Sequence, residues 1–173
     1  MDLSSFVNMK IKSTLKNLRG QMCPVIYHDI ESLAELNDKK VDSVSAFCFC
    51  GDKLVVVFSE KKGYWTPPGG AVEKSESVET AVIREVKEET NMRVIKQKLI
   101  GYQDVFEPEK TRIRVRVACL VEPDGDFTAD PDGDITEIKL IEPCDYKYKK
   151  YFDWGEIGDR IMEQALEFRN SYS

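Results

Sequence analysis

Glu85, Glu88 and Glu89 stand at i, i+3 and i+4, the spacing that gathers side chains on one face of a helix. The stretch from Ser75 to Thr90 contains no glycine or proline and reads as that helix. Val78, Ala81, Val82 and Val86 form an adjoining apolar stripe with which it can dock on a sheet. Like charges at this spacing cost roughly 0.2–0.5 kcal/mol per pair on an exposed helix, and a bound divalent cation reverses the sign. Oxygen ligands without histidine or cysteine select a hard cation, Mg²⁺ or Mn²⁺. Just before the helix, Pro68-Gly69-Gly70 lets the backbone approach a ligand closely and aim a carbonyl at a metal. The nearby helix N-terminus favours phosphate oxygens. Arg84 is spaced to reach Glu88 at i+4 and to bond Glu76, which would tie the loop to the helix. A cation site between a glycine-rich loop and an acidic helix suits metal-assisted attack of water on a phosphoanhydride.

The rest of the chain must position these groups. Its 173 residues make one domain, or one with a small appendage. A composition 42% hydrophobic and 32% charged is globular, and no apolar run approaches the length of a membrane span. A net charge of −6 argues against nucleic acid as the main partner. The expected partner is a small-molecule nucleotide, with no membrane. Cys23, Cys48, Cys50, Cys119 and Cys144 form no CxxC pair and read as buried thiols of a reducing, cytoplasmic compartment. The first 21 residues lack the apolar core of a secretory signal. His28 is the only histidine, which excludes a multi-histidine metal site.

Ile11, Leu15 and Leu18 recur at helical spacing between basic residues. They predict a short amphipathic helix or arm over residues 1–22, ahead of a main domain over 23–173. Strands are expected at Pro24–Ile30, Val44–Cys50, Lys53–Ser59, Val94–Phe106, Thr111–Val121 and Ile135–Ile141, with Gly51-Asp52 as a hairpin link. Glu31–Lys40 reads as polar helix or loop, Gly63–Gly70 as a turn-rich stretch and Glu122–Asp134 as an acidic loop. A second helix is expected over Asp153–Asn170, with Trp154, Ile157, Ile161, Ala165 and Phe168 on one stripe and Asp153 and Glu156 spaced as a capping box. The interleaving favours an α/β (α+β) fold, a mixed β-sheet sandwiched between helices.

The segment from Gly70 to Met92 runs Gly70, five residues, Glu76, seven residues, then Arg84-Glu85-Val86-Lys87-Glu88-Glu89-Thr90-Asn91-Met92. It resembles the Nudix box, with Asn91 where glycine is usual. That position follows the helix, where a left-handed residue is wanted and asparagine is the next choice. Ser75 stands where many relatives carry glycine, and a serine there can cap the helix. The resemblance implies a Nudix-type fold and Mg²⁺-dependent hydrolysis of a nucleoside diphosphate linked to another moiety, such as ADP-ribose or a nucleotide sugar. A sanitising nucleoside triphosphate diphosphatase and a non-catalytic nucleotide-binding module are the alternatives. It also implies that Glu85, Glu88 and Glu89 hold the metal with the Gly69 carbonyl. Gly70, Glu76 and Arg84 would support the site. Catalysis would fall to Glu85 and Glu88 with a distal acid. Glu137 is the choice among Glu107, Glu109, Asp130, Asp132, Asp134 and Glu137. Many such relatives are homodimers, though nothing in this chain requires it.

Two features bear on substrate. Arg112, Arg114 and Arg116 alternate with Ile113, Val115 and Val117, giving a strand with one basic face that could meet phosphate. Trp65, beside Tyr64, could stack on a base. Pro108 lies 16 residues past Met92, near where several ADP-ribose pyrophosphatases of the family carry a proline. Asp130-Pro-Asp-Gly-Asp is not an EF-hand loop, because its sixth position is Ile135.

Overall fold

Pairing decides the first element. In the computed structural model, which describes residues 9–30, 32–36, 38–128 and 130–173, Lys10–Lys16 is a strand, β1, and not a helix, one of the two readings of this segment. Ile11 is buried and Leu15 partly so, but Leu18, the third member of the helical stripe, is 91% exposed. Over so few residues the two periods overlap, and an isolated helix this short is marginal. A register running from Lys10↔His28 to Lys16↔Met22 with β2 (Met22–Asp29) supplies the backbone hydrogen bonds instead. The remainder of the expected arm, residues 1–8, lies outside the described residues.

The chain continues through β3 (Ser43–Cys50), β4 (Lys53–Ser59), β5 (Tyr64–Thr66), β6 (Gly69–Ala71), α1 (Val78–Thr90), β7 (Met92–Phe106), β8 (Thr111–Pro123), β9 (Ile135–Ile141) and α2 (Gly155–Asn170). The sheet order is β1-β2-β7-β8-β3-β4-β5, with β6 added to β3 and β9 to β4. Strands β3 and β8 are parallel and the other pairs antiparallel. Strands β3 and β4 pair only beside their hairpin, at Phe49↔Leu54 and Cys50↔Lys53. Beyond it β3 runs between β6 and β8, and β4 between β5 and β9.

Alternation along β3 sorts the two cores. Val44, Ala46 and Cys48 face α1, packing with Val78, Ala81, Val82 and Val86. Phe47 and Phe49 face α2, packing with Ile157, Ile161, Met162, Ala165 and Phe168. The sheet is thus sandwiched between helices, as expected. Helix α2 starts at Gly155, and Asp153 accepts from the Gly155 N–H at 3.0 Å; the expected box with Glu156 does not form. His28 bonds Asp104 at 3.0 Å and stacks on Tyr102, a structural role. Among the described residues, no helix is long and apolar enough to cross a membrane.

Candidate active site

Helix α1 begins at Ser77, whose Oγ accepts from the Thr80 N–H at 3.1 Å. Ser75 is therefore not the cap. Its φ of 64° places it in the left-handed region, which is the physical reason glycine suits that position. Two turns into the helix, Arg84 gathers five acceptors. Its Nε and Nη2 fork onto the two oxygens of Glu76 at 2.8 and 2.9 Å, and Nη2 also reaches the Ala71 carbonyl at 2.9 Å. Its Nη1 donates to Glu85 at 2.8 Å and to Glu88 at 3.3 Å. One guanidinium thus ties the loop before the helix, β6 and the acidic face together. The fork, helped by the Glu73 N–H, pulls the Glu76 carboxyl down to about 2.

The glycines before the helix answer to steric demand. A Cβ on Gly69 would sit 2.2 Å from the Val44 carbonyl oxygen, and one on Gly70 would sit 2.5 Å from Glu85 Oε1. Strand β6 can therefore press against both β3 and the helix only if these residues lack side chains. Gly69 meets the acidic face through its N–H, which donates to Glu89 Oε2 at 3.1 Å.

Burial pushes the Glu89 carboxyl up to about 8; the Gly69 N–H opposes this, while the charges of Glu85 and Asp130 add to it. Burial also raises Glu85, with Arg84 opposing and the charges of Glu88 and Asp132 adding. Glu88 shares Arg84. Among the described residues, no three Asp, Glu, His or Cys side chains converge on one metal position. The donor chemistry nonetheless fits a hard divalent cation. Two carboxylates removed from water raise each other's cost of ionisation, and only a positive charge beside them relieves it.

From outside the box the charges of Asp130 and Asp132 bear on Glu89 and Glu85. Glu137 is exposed on β9, opposite Phe58; like Asp130 and Asp132 it does not line the cleft. Asp134 is committed to the Ser59 hydroxyl and the Lys61 N–H, each at 2.9 Å.

Beside Glu89 opens a cleft of about 1050 Å³, lined in part by Gly69, Gly70, Ser45, Arg112, Arg114, Arg116 and Trp154. The three arginines of β8 do share it, but in different states. Arg112 is paired with Glu107 at 2.7 Å. Arg116 is buried, bonded to Gln103 and, at 2.8 Å, to Ser45, and its Nε has no partner. Burial, reinforced by the Arg114 charge, pulls it down to about 9. Trp65 is not in the cleft lining; it packs against Phe58 and Tyr151, with ring centroids 5.5 and 5.9 Å away. The tryptophan of the cleft is Trp154, which lies under the Arg116 guanidinium at 5.2 Å. Sequence reading missed this role, and also Ser45 and Gln103. The available signal was weak: Ser45 and Gln103 each stand beside apolar strand residues, but with other polar residues, Ser43 and Asp104, close by.

A sequence model of the NUDIX domain matches residues 39–162. The chain belongs to the Nudix family. Among its relatives is a Bacillus subtilis protein named "Uncharacterized Nudix hydrolase YvcI", 42% identical over 50 residues, or 29% of this chain and 32% of that one. Another, from the same organism, is named "Putative 8-oxo-dGTP diphosphatase YtkD", 41% identical over 71 residues, or 41% of this chain and 44% of that one. The chain thus spans less than half the length of these curated Nudix relatives. The crystal structure of the Bacillus subtilis pyrophosphohydrolase BsRppH shares the fold. It has a TM-score of 0.68 and 20% identity, covering 90% of this chain and 97% of that one. Within the Nudix box, Asn91 adopts the left-handed conformation (φ 51°, ψ 37°) that its place after the helix calls for.

Proposed function

We propose that the protein hydrolyses the diphosphate linkage of a nucleoside diphosphate joined to another moiety, with Mg²⁺ as cofactor. The observation that carries this reading is Arg84, which ties Glu85 and Glu88 of the helix face to Glu76 of the preceding loop, while Glu89 on the same face meets the glycine strand at the edge of a nucleotide-sized cleft. Glu85, Glu88 and Glu89 would hold the ion, which when bound neutralises phosphate charge and activates water. Water adds to one phosphorus, the bridging P–O bond breaks, and a nucleotide and a phosphorylated partner leave. Arg84 keeps Glu85 and Glu88 at fixed positions. Gly69 and Gly70 keep the floor free of side chains. Glu89, tuned to about 8, can hold or release a proton near neutral pH in the absence of the ion. Asp130 and Asp132, whose charges bear on Glu89 and Glu85, join Glu137 as candidates for a distal acid. The free thiols of the five cysteines support a cytoplasmic setting.

A second reading, a diphosphatase of damaged nucleoside triphosphates, is favoured by the name of the relative YtkD. A hydrolysis panel with Mg²⁺ separates the two: ADP-ribose, nucleotide sugars, oxidised and normal dNTPs, and dinucleoside polyphosphates. Cleavage of a linked diphosphate in preference to triphosphates supports the first reading. E88Q should lower turnover by on the order of 10²-fold with an unchanged circular dichroism spectrum. A parent protein inert on the whole panel, or a fully active E88Q, would overturn the assignment.

A further inference from the structure

Three cations along the cleft have an acidic partner: Arg112 has Glu107, Lys110 has Asp42 and Arg19 has Glu109. Of those with none among the described residues, Lys16 and Lys62 are exposed, whereas Arg114 and Arg116 are not. They are two residues apart on one face of β8, and neither forms an ion pair among the described residues. Arg116 is only 5% exposed, and its Nε has no acceptor. Its bonds go to two neutral groups, Ser45 Oγ and Gln103 Oε1. A buried guanidinium with no counter-charge is costly, and the neighbouring arginine makes it costlier. An anion entering from the cleft would relieve both.

Register places this pair relative to the box. Arg116 aligns with Ser45, and Ser45 with Gly69; Arg114 aligns with Ser43, and Ser43 with Ala71. The two arginines therefore lie two strand spacings, about 10 Å, from the glycine strand that touches Glu89. Trp154 argues against a nucleobase as the occupant. One face of its ring carries Arg116, and the edges of Phe47 and Phe152 press on it at 5.8 and 5.3 Å. The indole is a platform for the guanidinium and not an open stacking surface.

We infer that Arg114 and Arg116 form a second anion subsite, which selects nucleotides bearing a further phosphate on the part remote from the cleaved linkage. This deepens the proposed function and rests on it for the word substrate, but its test needs no turnover. In EDTA, adenosine 3′,5′-bisphosphate and adenosine 5′-monophosphate are titrated by calorimetry, with tryptophan emission as a second readout because Trp154 lies against Arg116. The parent should bind the bisphosphate at least tenfold more tightly. R114A, at a half-buried position with no bond to lose, should close that gap, while E88Q should keep it. R116K keeps a charge but loses the planar fork, and should narrow the gap partway. Equal binding of the two nucleotides by the parent, or an undiminished gap in R114A, would overturn the subsite. Turnover without the gap leaves the hydrolase reading standing and removes the subsite; the gap without turnover does the reverse.

Discussion

Arg84 acts through geometry more than through charge. A lysine offers its donors from a single point and cannot fork across Glu76 while also reaching Glu85, Glu88 and the Ala71 carbonyl. R84K should lower kcat at least tenfold with a smaller change in KM, read from steady-state kinetics on the best panel substrate. It should also lose about 1–3 kcal/mol in denaturant melts. Glu89 predicts a pH dependence with a definite sign. Its folded value of about 8 lies above the ordinary 4.5, so the neutral carboxyl stabilises the fold below pH 4.5. That contribution is lost as pH rises through 8. In EDTA, E89Q should therefore match the parent at pH 4 and exceed it at pH 9, by on the order of a few kcal/mol. Equal melts at pH 9 would refute the desolvated carboxyl. The box residues were legible because their chemistry is local, confined to one loop and the helix that follows it. The choice of a distal acid was not, because how near Asp130, Asp132 or Glu137 comes depends on the path of a loop that no spacing specifies. That Trp154 lines the cleft and Trp65 does not has a related cause: local sequence does not tell which aromatic the fold brings there.

Helix α1 was legible at the level of elements, since its carboxylate face, its apolar stripe and the absence of breakers all agree. Its ends carried more than the spacing told. Asn91 takes the left-handed cap, and its Nδ2 also donates to the carbonyls of Asp124 and Asp126 at 3.1 and 2.9 Å, while Lys87 pairs with Asp124 at 2.8 Å. The departure from the usual glycine thus fastens the start of the acidic loop to the helix. N91G, which restores the common residue, should destabilise the protein by about 0.5–1.5 kcal/mol and speed hydrogen exchange in residues 124–128. A neutral or stabilising N91G would mean the two side-chain bonds contribute nothing. Strand β1 was the opposite case: Ile11 and Leu15 satisfy both a helical and a strand reading, and only the partner strand decides between them.

For the whole molecule, the two apolar faces of β3 and the stripes of α1 and α2 made a helix–sheet–helix sandwich readable. The parallel pairing of β3 with β8, and the early parting of β3 from β4, follow from contacts between distant segments and left no local mark. A cation that binds only the folded state should raise the melting temperature. At one hundred times its dissociation constant, Mg²⁺ should add about 2.7 kcal/mol. At a fixed Mg²⁺ concentration the gain should be larger at pH 8 than at pH 5, because at the lower pH protons compete for Glu89; scanning calorimetry at the two pH values checks this. The Ser45–Arg116 bond spans 71 positions of the chain. Closing so long a loop is entropically slow and comes late in folding. The cleft is thus closed by segments far apart in the chain: during refolding, nucleotide binding should return no earlier than this long-range pairing, which stopped-flow tryptophan emission read against the helix signal would check.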